Sequence, residues 1–365
     1  MPAPSSLLLR GQHVLLGAGL TPGHDVLLRG GLVAAIGPSG TLGDADEVLE
    51  AEVVAPGYVD LHVHALDGRG LVGPGAPDVE GLSQALLSRG VTSFLATTVA
   101  TPVDDLVELV RSTQGAELTG ARLLGCHLEG PWLAPGHAGA QDRSALSLPD
   151  LAALDRLVQA GPPVLLTLAP ELPGALEVIA RAVDAGVVVS LGHSGATYAH
   201  AAAAVDAGAS HVTHCFNAMS GLHHREPGLV GAALDLPGLT VELIADGVHV
   251  HPAAARLLWR AVGSQRVCLV SDAVDLDLAG TTGVRLPDGT LAGSRSGLDQ
   301  AVRNLVDWGV PLLDALAMAS ATPARVAGRD DLGTLAVGTP ADVVLLGPDL
   351  RVLATIVEGA VAWRR

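Results

Sequence analysis

A rhythm of eight short apolar runs, most of them separated by segments of helical length, restricts this chain to few folds. The runs fall at 53–64, 91–98, 121–129, 164–169, 187–193, 211–216, 240–245 and 267–271. Helices are expected at 78–89, 103–111, 149–160, 174–185, 197–207 and 253–262. The runs are nearly continuously apolar instead of alternating, which is the pattern of parallel strands covered on both faces. Eight β-α units in about 250 residues is the size of an α/β barrel of the (β/α)8 TIM type. A doubly wound open sheet is the competing arrangement. It would normally carry a glycine-rich phosphate loop after an early strand, and none is evident.

The two ends read differently. Short strands punctuated by Gly and Pro are expected at 7–10, 13–16, 25–29 and 32–36, and again at 341–346 and 352–361. These predict one small β-sandwich domain assembled from residues 1–52 and 335–365, flanking a barrel at 53–334. With 49% hydrophobic residues a sizeable core is assured, but only four Trp, two Tyr and two Phe contribute to it. The core is therefore built from Val, Leu, Ala and Ile.

A formal charge of −17 argues against binding nucleic acid or an anionic membrane, because neutralising phosphates needs a basic face. No apolar stretch reaches the roughly 18–20 residues needed to span a bilayer. No basic segment followed by a long apolar run marks a secretory signal, so a soluble cytoplasmic protein is expected. The three cysteines, Cys126, Cys215 and Cys268, lie in or beside apolar runs and lack zinc-like spacing. They are expected to be packed thiols.

The polar residues fall where the runs end. The first run ends in Asp60, Leu61, His62, Val63 and His64, and the third in His127, Leu128 and Glu129. The fifth ends at His193, the sixth passes through His214, the seventh leads to Asp246 and His249, and the eighth reaches Asp272. In a barrel these strand ends converge on the face that carries the active site. His62 and His64 are two apart on a strand, so both rings lie on one side and suit a borderline transition metal completed by carboxylate. One strand-end histidine alone would more often be structural. Four histidines and two acids at the ends of five strands are costly to bury unless metals or hydrogen bonds satisfy them. His223, His224 and Arg225 form a polar loop, read either as solvated surface or as a cationic pocket for an anionic group. His13, His24, His137, His200, His211 and His251 are expected to be structural or surface residues.

Several segments then carry a resemblance. They are Ala-Pro-Gly-Tyr-Val-Asp-Leu-His-Val-His at 55–64, His-Leu-Glu-Gly-Pro-Trp at 127–132 and Leu-Gly-His-Ser at 191–194. Thr-His-Cys-Phe-Asn-Ala-Met at 213–219, Arg-Glu-Pro-Gly at 225–228, Ala-Asp-Gly-Val-His-Val at 245–250 and Ser-Asp-Ala at 271–273 follow. The stretch 332–342 matches the return into the β-domain. Over nearly the whole chain this resembles the amidohydrolase superfamily, and within it the deacetylases of amino-sugar phosphates.

The resemblance implies a metal site of Glu129, His193 and His214, a second of His62 and His64 bridged by Glu129, and Asp272 as acid–base group. It places a sugar phosphate against Asn217, Ala218 and Arg225, a sugar hydroxyl near His249, and Ala140, Gln141, Leu291, Ala292 and Gly293 along the same pocket. Gln141 departs from the His of some relatives, and a second metal would then have to polarise the acetamide. All 21 basic residues are Arg, so the carboxylated Lys that bridges two metals in many amidohydrolases is impossible here. One or two divalent transition metals are expected, with Zn, Fe, Mn or Co all compatible. The implied reaction is hydrolysis of the N-acetyl amide of N-acetylglucosamine 6-phosphate by a homodimer. Alternatives are the galactosamine epimer, an N-acyl amino acid, or a metal-containing binding protein without catalysis.

Overall fold

The computed structural model describes residues 6–17, 19–72, 77–274, 283–286 and 289–365. It opens with β1 (Ser6–Leu16), β2 (Gly19–Arg29), β3 (Leu32–Pro38) and β4 (Glu47–Pro56). β1 is one continuous strand where two were expected. β1–β2 and β2–β3 pair antiparallel, while β4 lies parallel to β1. The predicted strand at 53–64 is in fact two strands: β4 stays in this sheet and β5 (Tyr58–Val63) begins the barrel. Gly57 is the crossing point. A Cβ there would lie 2.2 Å from Thr92, so only glycine lets the chain pass this close to the next barrel strand.

The two-residue strands β6 (Ala65–Leu66) and β7 (Arg69–Gly70) form a small hairpin. The barrel then continues through β8 (Val91–Thr98), β9 (Arg122–Glu129), β10 (Leu165–Leu168), β11 (Val188–Leu191), β12 (His211–Val212), β13 (Thr240–Leu243) and β14 (Val267–Leu269). All neighbours pair parallel in the order β14-β13-β12-β11-β10-β9-β8-β5. The ring closes between its ends: Asp272 N donates to the His62 carbonyl at 2.8 Å, and Val63 bridges Ala273. The fold is a (β/α)8 barrel.

Helices α1 (Val79–Leu87), α2 (Val103–Thr113), α3 (Leu151–Ala160), α4 (Ala175–Asp184), α5 (Tyr198–Asp206), α6 (Gly228–Asp235) and α7 (Pro252–Val262) cover the barrel. Each apolar stripe faces inward, as with Val178, Ile179 and Ala182 of α4. Their starts are written in the sequence. The Asp78 and Asp150 side chains cap α1 and α3, and Thr197 caps α5 with His200 in a reciprocal box. After β14 a hairpin of β15 (Gly283–Arg285) and β16 (Leu291–Ser294) folds back over the strand ends, where Ser294 N donates to the Asp272 carbonyl at 2.8 Å. Helices α8 (Leu298–Asp307), α9 (Leu312–Ala319) and α10 (Ala321–Val326) complete the cover.

β17 (Val343–Leu346), β18 (Val352–Val357) and β19 (Ala360–Arg364) rejoin the first sheet, giving the order β19-β18-β17-β4-β1-β2-β3. The strand predicted at 352–361 is broken by a turn at Glu358 and Gly359, both at positive φ. Leu7, Leu9 and Leu28 from one arm share an apolar cluster with Val343, Leu345 and Ile356 from the other, so both ends of the chain pack within the one seven-stranded sheet. Among the described residues no helix is long and apolar enough to cross a membrane.

The barrel interior holds a chain of paired polar side chains. The His127 ring bonds Thr167 Oγ1 at 2.8 Å, Thr167 bonds Thr213 at 2.7 Å, and Thr213 bonds Ser190 at 2.5 Å. Fully buried hydroxyls and imidazoles are tolerable only when paired this way. The three cysteines are buried free thiols, and burial raises the pKa of each.

Candidate metal centre and active site

Six titratable side chains meet at the C-terminal ends of five strands. His62 ends near the tip of β5 and His64 lies just beyond it. Glu129 ends β9, and His193, His214 and Asp272 follow β11, β12 and β14 by two or three residues. All six are buried. His193, His214 and Asp272 have positive φ, as do Phe216 and Ala218 beside them. Non-glycine residues in this region cost on the order of 1–3 kcal/mol each, a strain that concentrates at functional sites. Here it turns each side chain sharply off its strand end into a common centre.

The centre has two halves. Glu129 Oε1, His193 Nε2 and His214 Nε2 lie 3.1 Å from one another. His62 Nε2 and His64 Nε2 are 3.2 Å apart and lie 3.4 and 3.3 Å from Asp272 Oδ1. Glu129 faces both halves, with Oε1 3.4 Å from His62 Nε2 and Oε2 3.4 Å from His64 Nε2.

Hydrogen bonds on the far side of the rings decide what these atoms are. His193 Nδ1 donates to the His137 carbonyl at 2.9 Å and His64 Nδ1 to the Thr97 carbonyl at 3.2 Å. His62 Nδ1 donates to the Glu242 carboxylate at 2.9 Å. A carbonyl or carboxylate can only accept, so each Nδ1 carries a hydrogen, and in the neutral ring each Nε2 turns a lone pair inward. Acceptors facing acceptors at these distances require a cation between them. Metal–ligand bonds of about 2.0–2.1 Å in tetrahedral array put ligand atoms roughly 3.3 Å apart, so both halves fit a divalent transition metal. The group His62, His127 and Glu242 also lies within ligand range, but it is already joined internally through the His62–Glu242 bond.

Without a metal, protons supply the positive charge. Burial alone would lower the His62 pKa, but the carboxylates of Glu242, Glu129 and Asp272 outweigh it and push it up to about 10. His193 is raised by the charge and hydrogen bond of Glu129 against the opposing effect of burial. Burial, by contrast, works to raise the pKa of the carboxylates. The charges of His62 and His193 nevertheless hold Glu129 well below its usual range, and those of His62 and His64 hold Asp272 below its own.

A cavity of about 660 Å³ opens above the centre, lined by His64, Glu129, His193, His214 and Asp272 at its floor. Of the residues expected to contact substrate, Ala140, Gln141, Asn217, Ala218, His249, Leu291, Ala292 and Gly293 all line it. His249 is fixed by its Nδ1, 2.7 Å from Asp246 Oδ2.

Two of the expected residues make further contacts in the single chain. Arg225 is not among the residues that line the cavity of this one chain. It is exposed and donates to His224 Nε2 at 2.7 Å, on a loop that Glu226 pins by accepting from Tyr198 N at 3.0 Å. The one Arg or Lys among the described lining residues is Arg285 on the β15–β16 hairpin, which sequence reasoning passed over. Gln141, which lines the cavity, also donates to Glu129 Oε2 at 2.5 Å while its carbonyl accepts from Ala100 N at 2.7 Å. The backbone bond fixes the amide so that its NH2 meets the carboxylate.

Sequence reasoning also missed the layer beneath. Glu242 sits fully buried in the seventh apolar run, and His211, set aside as structural or surface, lies 3.3 Å from it. The available signal was the charge itself, since a carboxylate in a strand covered on both faces needs donors.

Residues 53–362 match the amidohydrolase family. The chain is 38% identical to N-acetylgalactosamine-6-phosphate deacetylase of Escherichia coli O157:H7, covering 97% of this chain and 99% of that protein. It is 34% identical to N-acetylglucosamine-6-phosphate deacetylase of Bacillus subtilis, covering 85% of each. The solved structure of a mutant N-acetyl-D-glucosamine-6-phosphate deacetylase from Mycobacterium smegmatis, in complex with N-acetyl-D-glucosamine-6-phosphate, superposes with a TM-score of 0.89 at 32% identity. That match covers 98% of this chain and 99% of the other.

Proposed function

The chain belongs to the amidohydrolase family, and from that premise we propose that it hydrolyses the N-acetyl amide of N-acetylglucosamine 6-phosphate to glucosamine 6-phosphate and acetate. The observation that carries the proposal is the cavity itself. Its floor joins the two ligand groups to Asp272, and its walls are the residues expected to hold an amino-sugar phosphate.

Glu129, His193 and His214 would hold one divalent transition metal, and His62, His64 and Asp272, sharing Glu129, a second. Zn, Fe, Mn and Co all suit this donor set. When bound, such a metal supplies a Lewis acid for the carbonyl and a water of pKa near 7. Asp272 is held ionised by its imidazole neighbours, so it can take the proton of the attacking water. It then returns that proton to the leaving nitrogen, which departs as an amine and not as an anion. His249, fixed by Asp246, would hold a sugar hydroxyl. Asn217, Ala218 and the guanidinium of Arg285 would receive the phosphate. The proposal extends to a cytoplasmic homodimer, as the sequence reading suggests.

The Escherichia coli relative supports a second reading in which the sugar is the galactosamine epimer. Acetate release by the metal-loaded protein from N-acetylglucosamine 6-phosphate, N-acetylgalactosamine 6-phosphate and unphosphorylated N-acetylglucosamine tests both. The highest kcat/KM is expected on the first. A preference for the epimer would select the second reading, and no acetate from either phosphate would refute both. Asp272→Asn should lose about 10²–10⁴ in kcat while still binding substrate.

A further inference from the structure

We infer that Glu242, a residue of β13 that does not line the cavity, is the positioning residue that registers both halves of the metal centre. The inference rests on the reading that these histidines hold metal. Glu242 is fully buried. Its Oε2 accepts two hydrogen bonds, from His62 Nδ1 at 2.9 Å and from the backbone N of His214 at 3.0 Å. Its Oε1 lies 3.3 Å from His211 Nε2. One carboxylate oxygen thus ties the ring of a ligand in one half to the chain segment of a ligand in the other.

The consequence is geometric. His62 comes from the first barrel strand and His214 from the end of the sixth, with Glu242 on the seventh. The bond to Nδ1 fixes both the plane of the His62 ring and the nitrogen that keeps its lone pair, which is the Nε2 facing Glu129 and His64. The bond to His214 N anchors a residue whose φ of 26° is otherwise unfavourable. Among the described residues His214 Nδ1 has no partner, so the backbone bond is the tie that Glu242 supplies there. Carboxylates behind metal-binding imidazoles typically change metal affinity by 10–100-fold when removed.

The test compares Glu242→Leu and Glu242→Gln with the parent by zinc competition against a chelator, with circular dichroism to confirm folding. The amide oxygen of Gln can accept both bonds that Oε2 accepts. Glu242→Leu is expected to bind zinc 10–100-fold more weakly and Glu242→Gln to recover most of that loss. A folded Glu242→Leu protein with parental zinc affinity overturns the inference. If the leucine variant does not fold, the Nδ1–H resonance of His62 in zinc-loaded, histidine-labelled protein decides. It should sit far downfield in the parent and move on Glu242→Gln, and an unmoved resonance overturns the inference. A parent that binds no zinc removes the metal premise. A parent that binds zinc tightly but releases no acetate removes the proposed activity alone.

Discussion

Replacing Glu129 by glutamine puts the shared carboxylate to a direct test. Gln141 decides how the new amide must sit. Its NH2 is held 2.5 Å from Glu129 Oε2 by the bond between its own carbonyl and Ala100 N. Two facing NH2 groups would repel, so the residue-129 amide must place its oxygen there. Its NH2 then takes the Oε1 position, 3.1 Å from both His193 Nε2 and His214 Nε2. The half that depends on Oε1 loses its only anionic donor and gains a hydrogen where a metal would lie. The half at His62 and His64 keeps an oxygen and Asp272. A metal present at 100–1,000 times its Kd stabilises a protein by about 2.7–4.1 kcal/mol per site. An unfolding entropy of about 2.1 cal/mol/K per residue gives roughly 0.8 kcal/mol/K for this chain, so each site is worth about 3–5 °C in Tm. His64→Asn should therefore retain one metal equivalent and one such increment. The double variant Glu129→Gln/His64→Asn should retain neither, as read by elemental analysis and thermal melts with and without chelator. One equivalent with its Tm increment surviving in the double variant would refute the assignment of Oε1 to the His193–His214 half.

Gly293→Ala should lower turnover through Asp272, because its Cβ would lie 2.7 Å from the Asp272 carbonyl at a φ of 89°. A loss of about 10–100-fold in kcat is expected, and parental kcat would show that the hairpin does not hold Asp272 in place. Arg285→Gln should raise KM for the phosphorylated sugar about five- to thirtyfold and leave the unphosphorylated sugar unaffected, whereas an equal effect on both would remove Arg285 from the phosphate. Metal uptake near pH 7.5 should release protons, measurable by calorimetry in buffers of different ionisation enthalpy, because His62 titrates at about 10 in the metal-free chain. With that pKa raised above an unfolded value of about 6.5, its contribution to metal-free stability is full below about 6.5 and is lost as pH rises through about 10. A metal affinity that does not climb with pH across this window would contradict the picture.

The barrel was legible because strands covered on both faces must be apolar throughout, and helices between them must carry stripes. Each of the eight runs contributes a barrel strand, and the six expected helices formed within two residues of their expected limits. Errors came where hydropathy is silent about which sheet a strand joins. The run at 53–64 has no polar break at Gly57, and the reason for its division is steric contact with Thr92, a residue 35 positions away. The turn at Glu358 and Gly359 was hidden for a similar reason, since the residues around it are apolar on both sides.

For the site, spacing and residue type sufficed where chemistry is dense, as at His62, His64 and Glu129. They leave direction open. Arg225 and Arg285 carry the same charge, and nothing in their neighbours' identities says which guanidinium the fold turns toward the cavity. The loop pinned by Glu226 sends one outward, while the hairpin beyond Asp272 brings the other to the rim. Gln141 shows the same limit. Read as a neutral replacement for a substrate-facing histidine, it looked like a loss of polarising power. Once the backbone of Ala100 fixes its amide, its contact is with Glu129, and the residue bears on how that carboxylate divides between the two halves. Glu242 completes the pattern from below, tying His62 and His214 from the opposite side. The cluster is thus held between an amide above and a carboxylate beneath, and neither is a residue whose role its position in the sequence reveals. Changes at Gln141 and Glu242 should therefore alter metal occupancy before they alter substrate binding.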